Sequence, residues 1–174
     1  MKAQAMTGRD QPPPPSGARS HDAAEAPDKV VPGPGRIRRR DLLTRQLHDQ
    51  LDTMLAGLEA AADCAGAARS LRDEGVSPAE RLARFAGILE SLASGLLAEC
   101  DELYLAACRE QRFAPTEVED IRASLRERVI GYFCMLLKAH GGNLLEGLEP
   151  AQAARLLARA QEQLLAALGG RSSS

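Results

Sequence analysis

His48 and Asp49 are adjacent in the string Gln46-Leu47-His48-Asp49, the pairing in this chain with the clearest capacity for chemistry. An imidazole near neutrality can act as nucleophile or proton carrier, and a neighbouring carboxylate can orient or deprotonate it. The bland alternative is a solvated histidine beside a surface aspartate. His140 lies at the end of a predicted helix, where it suits the negative end of the dipole, and His21 lies in a Pro-rich stretch. Arg36, Arg38, Arg39 and Arg40 surround Ile37 in a basic cluster. Such clusters can grip phosphates of nucleic acid or anionic lipid, or simply be a solvated junction. No aromatic residue is interleaved for base stacking, so nucleic acid is not an expected partner. Cys64, Cys100, Cys108 and Cys134 form no CxxC and read as reduced, partly buried thiols. Glu99 and Glu102 lack a histidine in register for a di-iron ExxH site. HExxH, GxxxxGK[ST], GxGxxG and GxSxG are all missing. No metal or cofactor is therefore expected, and an enzyme is not the leading reading.

The string RQLHDQLDTML resembles the phosphoacceptor helix of sensor histidine kinases of the nitrate-sensor type. That resemblance implies that His48 accepts a phosphoryl group, that Asp49 positions or deprotonates it, and that Leu55 matches a later apolar position. Thr53 stands where that kinase type usually has glutamine, and no nucleotide-binding domain follows. The resemblance thus implies a receiver-facing phosphotransfer bundle rather than a kinase.

Helices must position these residues. Seven of the ten prolines fall before residue 35, and Pro78, Pro115 and Pro150 each open a Leu/Ala-rich amphipathic run. Proline is tolerated in the first turn of a helix and damaging inside one. Residues 1–35, with PPPP and PGPG and no hydrophobic period, are expected to be a disordered arm. The first helix is predicted over 42–69 with Asp41 as its N-cap, on a heptad-like seam of Leu47, Leu51, Met54, Leu58, Ala61 and Ala65. Ser77-Pro78-Ala79-Glu80 forms a capping box that opens a second helix of about 34 residues, with a kink expected near Gly95. Thr116 to Glu119 repeats the box for a third helix, whose VIGYFCMLL half is apolar nearly all round and stops at Gly141-Gly142. A fourth helix runs from Pro150 to Gly169.

The predicted fold is all-α, an antiparallel up-down bundle of about four helices. Its organisation is a Pro-rich arm with a basic junction over 1–40, a helical domain over 41–169 and a flexible tail over 170–174. The net charge of -2 supplies no global steer. The longest apolar run, Val129 to Leu137, is too short to span a bilayer, which needs about 20 residues. The N-terminus carries no secretory signal, so the expected compartment is the cytoplasm, with signal-independent secretion as an alternative. The Ala, Arg, Leu and Gly usage suggests a high-GC bacterium. Gly87, Ser91 and Gly95 recur every fourth residue on the second helix. They suit internal packing, a homodimer seam or a groove for a partner helix. The leading function is non-enzymatic protein–protein contact, as an adaptor, regulator, chaperone-like protein or secreted effector. Histidine phosphotransfer through His48 with Asp49 is the alternative. A third option is a small-molecule pocket around Cys100, Tyr104 and Cys134.

Overall fold

Pro78, Pro115 and Pro150 each stand at the start of a helical element in the computed structural model, which describes residues 34–170. The expectations for the arm over residues 1–33 and the tail over 171–174 lie outside the described residues. The elements are α1 (Pro34–Ala61), α2 (Cys64–Asp73), α3 (Pro78–Gln111), a 3-10 turn (Pro115–Glu117), α4 (Glu119–Leu144) and α5 (Pro150–Gly169). No strand occurs among the described residues. The fold is the expected all-α bundle, built on four long helices and one short one.

Side-chain pairings set the directions of the helices. Gln46 meets Gln111, so α1 and α3 are antiparallel. Asp101 meets Arg122, and Phe85 meets His140, so α3 and α4 are antiparallel. Leu157 of α5 lies against Gly141 of α4, and Leu165 and Gly169 lie beside Arg122 and Ala123, so that pair is antiparallel too. Arg36 meets Glu117, Asp52 meets Arg128 and Arg72 meets Glu146, so α1 and then α2 run parallel to α4. The α3–α4 pair is central, with both α1–α2 and α5 packed on it. Its interior holds Leu82, Phe85, Leu89, Tyr104, Val129, Phe133 and Leu137, all essentially buried. Each large apolar side chain taken fully out of water stabilises the fold by about 1.5–3 kcal/mol. Among the described residues no buried residue is polar or charged.

Four boundaries differ from the sequence reading, each for a local reason. The helix predicted over 42–69 starts earlier, at Pro34, and is broken at Ala62-Asp63. Pro34 suits a first turn, so Arg36 to Arg40 are helical and Asp41 lies inside the helix rather than capping it. The break arises because the Asp63 carboxylate accepts the Gly66 N–H at 2.6 Å, capping α2 and competing with continuation of α1. Ala61, predicted to lie in the seam, is exposed as a result. At the start of α4 the cap shifts by two residues. Ala114 donates its N–H to Glu117 Oε2 at 3.0 Å, a 3-10 turn follows, and α4 begins only at Glu119. At its far end α4 passes through Gly141-Gly142 to Leu144. Gly141 is there for close approach, since a Cβ would stand 2.9 Å from Leu157 Cδ1 and 3.1 Å from Leu82 Cδ1. The 34-residue α3 is capped by Ser77 as expected and continues as one helix through Gly95.

Candidate functional site

The arginine cluster occupies the first turns of α1, where every residue from Gly35 to Leu42 is exposed and Leu43 is the first to be buried. Its four members divide into two roles. Arg36 pairs with Glu117 and also lies over the Phe113 ring, 6.0 Å from its centroid. Arg40 pairs with Asp120. Both contacts reach the acidic N-terminal end of α4, where carboxylates favour the helix dipole. Exposed, solvent-screened pairs of this kind are weak, enough to orient a helix end but not to hold a core. Arg38 and Arg39 have no carboxylate partner among the described residues. Glu117 answers to the same arrangement: the Ala114 N–H, and then Arg36, hold its carboxyl below the usual range.

His48 is half-buried at the α1–α4 edge. Its Nδ1 lies 2.8 Å from the Thr44 carbonyl oxygen, which can only accept, so Nδ1 carries a proton. Nε2 lies 3.4 Å from Ser124 Oγ across the interface. Asp49 is exposed and turns elsewhere, lining an open groove with Leu42, Arg45, Gln46, Gln50, Thr53 and Gln111. His48 does not line that groove, so the sequence neighbours do not meet in one site. Ser124, the partner that the fold supplies, lies 76 residues away and had no signature in the sequence.

Gly87, Ser91 and Gly95 all face outward along α3, and a Cβ added at either glycine would meet nothing within 4 Å. Internal packing, one of the readings open to the sequence, does not occur there. Ile88 beside them is exposed as well. Further along α3, Asp101 accepts a two-pronged contact from Arg122, at 2.9 and 3.0 Å, and a third bond from Arg126 at 3.1 Å. This charged knot was not foreseen, because it needs α3 and α4 side by side.

The cysteines are free: Cys100, Cys108 and Cys134 are buried, and Cys64 is half-exposed. Burial raises the pKa of each thiol, and Cys100, next to Asp101 and Glu99, is pushed up to about 11. Such thiols are poor nucleophiles at neutral pH. Tyr104, also raised by burial, donates its O–H to the Pro115 carbonyl at 2.6 Å and pins the 3-10 turn to α3. The space enclosed by Cys100 with Leu47, Leu51, Met54, Leu103 and Leu125 is about 10 Å³, no more than one water needs, so it does not serve a small-molecule ligand. Among the described residues, His, Cys, Asp and Glu side chains do not gather in threes that could hold a metal ion, and no helix is long and apolar enough to cross a membrane.

Fold and surface together define an all-α up-down bundle with two exposed features, the basic start of α1 and the small-residue face of α3. Compared with known proteins, the chain matches no family, no curated relative and no solved structure.

Proposed function

We propose that this is a non-enzymatic bundle that works in the cytoplasm by protein–protein contact, with the outward face of α3 as its docking surface. The observation that carries this reading is the exposure of Gly87, Ser91 and Gly95 inside an unbroken 34-residue helix. A mid-helix glycine costs about 0.5–1 kcal/mol relative to alanine, and no neighbour among the described residues needs the space at these two. A smooth strip lets another helix approach closely, in a second copy or a different protein. Light scattering after gel filtration tests this reading. A dimer, or a co-eluting partner, that Gly87→Leu with Gly95→Leu disrupts without loss of helicity is the expected result. A monomer whose associations the double variant leaves unchanged would overturn it.

A second reading keeps His48 as a phosphoacceptor. One observation favours it: the Thr44 carbonyl engages Nδ1, which leaves Nε2 as the ring nitrogen directed to the edge of a helix pair. Asp49, lining a different groove, is not the positioning group in this version, and Ser124 takes that place. An acid-labile label from a phosphorylated receiver domain, lost in His48→Ala, is expected. No label from a panel of donors would sink it.

A further inference from the structure

The start of α1 carries more positive charge than its contacts use. Arg36 and Arg40 are bound to Glu117 and Asp120, while Arg38, Arg39 and Arg45 are exposed with no carboxylate partner among the described residues. The bond between Gln46 and Gln111, and the stacking of Arg36 on Phe113, bring the C-terminal end of α3 to the same end of the bundle. Two more exposed arginines, Arg109 and Arg112, arrive with it, again without a carboxylate partner among the described residues. Against these five stand Asp41, Asp49 and Glu110, so among the described residues the end is net positive. The positive pole of the α1 dipole adds to it.

Large apolar side chains are exposed on the same first turns of α1, flanking its outward face about 140° apart. Ile37 is 48% and Leu42 59% exposed, the latter being the most exposed large apolar residue among those described. Neither would gain from a phosphate backbone, and Phe113, the aromatic ring at this end, is buried and so cannot stack on bases. Both would gain at the boundary between lipid headgroups and acyl chains, where arginines also meet phosphate. Charge and apolar exposure together match one kind of surface.

We infer that this end of the bundle docks on an anionic lipid surface. Arg38, Arg39 and Arg45 meet headgroup phosphates, Ile37 and Leu42 enter the interfacial layer, and the Arg36 and Arg40 pairs hold the helix end in the orientation that allows it. The contact is peripheral and salt-sensitive. It leaves the α3 face free, so that a partner bound there would be carried to the membrane.

Vesicle flotation of the full chain tests this, using phosphatidylcholine vesicles with and without phosphatidylserine. The chain is expected to float with the anionic vesicles only, and less as salt rises. Each arginine near the surface contributes attraction on the order of 1 kcal/mol, about fivefold in partitioning, so Arg38→Gln with Arg39→Gln and Arg45→Gln should lower it on the order of a hundredfold. These side chains are exposed and have no carboxylate partner among the described residues, so helicity measured by circular dichroism should not change. Ile37→Ser with Leu42→Ser should lower partitioning onto anionic vesicles several-fold and leave retention on a soluble polyanion such as heparin unchanged. Failure to float, equal flotation with neutral vesicles, or insensitivity to the arginine changes would overturn the inference. Tighter binding to duplex DNA through the same three arginines would assign the surface to nucleic acid instead and overturn it equally.

Discussion

Two glycine environments occur in the central helix pair, and they obey opposite rules. Gly141 of α4 is buried against Leu157 and Leu82, where any side chain would collide. Gly87 and Gly95 of α3 face open space, as do Gly131 and Gly142 of α4, but the α3 pair flanks a third small exposed residue, Ser91, in one strip. The first glycine is explained inside the molecule: it lets α5 and α3 close on α4. Gly87 and Gly95 weaken the helix that contains them, and no close neighbour among the described residues uses the space. A residue that costs stability without an internal use points to a use outside the chain. This contrast, with the strip that Ser91 completes, is the support for the docking surface proposed on α3.

The interior half of the comparison is calibrated by the largest effect. Phe85 is fully buried, with the His140 ring edge-on at 6.1 Å. Phe85→Ala should cost about 3–5 kcal/mol, read as a lower urea midpoint. A loss under about 1 kcal/mol would mean that the α3–α4 interior is looser than described. Next, Gly141→Leu should destabilise by about 1–3 kcal/mol through overpacking, whereas Gly95→Leu should not destabilise at all. Equal effects at the two sites would erase the contrast. Smaller again, Gly87→Ala and Gly95→Ala should each stabilise the isolated protein by about 0.5–1 kcal/mol in thermal melts. A loss of stability in either would show that the face is already in use within the protein, as in a constitutive dimer.

The smallest effect concerns the charged end. Glu117 has a lowered pKa in the folded state, so its contribution is complete above the unfolded carboxyl value of about 4.3 and is lost as pH falls through the lower folded value. Urea midpoints measured from neutral to acid pH should fall more steeply in that acid window for the native chain than for Glu117→Gln. Parallel curves would detach Glu117 from the fixing of α1.

Legibility from sequence followed the range of the forces involved. Ser77 before Pro78 caps α3 as read, because a cap is completed within four residues. The same local logic was present at Asp63, three residues before Gly66, but the apolar period running through it favoured one long helix, and the cap won. Gly141-Gly142 looked like a stop, since glycine so often ends helices. The close approach of Leu157 and Leu82 gives Gly141 another purpose, while Gly142 stays exposed. In the candidate sites, the sequence picked out all four arginines but not their division into bound and free pairs. Glu117 and Asp120 lie some 80 residues further on, and only the parallel packing of α1 and α4 brings them near. His48 was read with its neighbour Asp49 and is found with Ser124, because adjacent helical residues point about 100° apart.

Periodicity and punctuation alone determined that this chain makes amphipathic helices, where α3 and α5 begin, and which stripes are oily enough to be covered. These are properties of single segments, dictated by backbone sterics and the removal of apolar groups from water. Tertiary structure decided which helix lies against which, that α3 and α4 take the centre, that Arg36 and Arg40 are used while Arg38 and Arg39 are not, and that a strip of small residues faces water. Those outcomes depend on pairings between segments far apart in the chain, and a pattern within one segment carries no record of its neighbour in space.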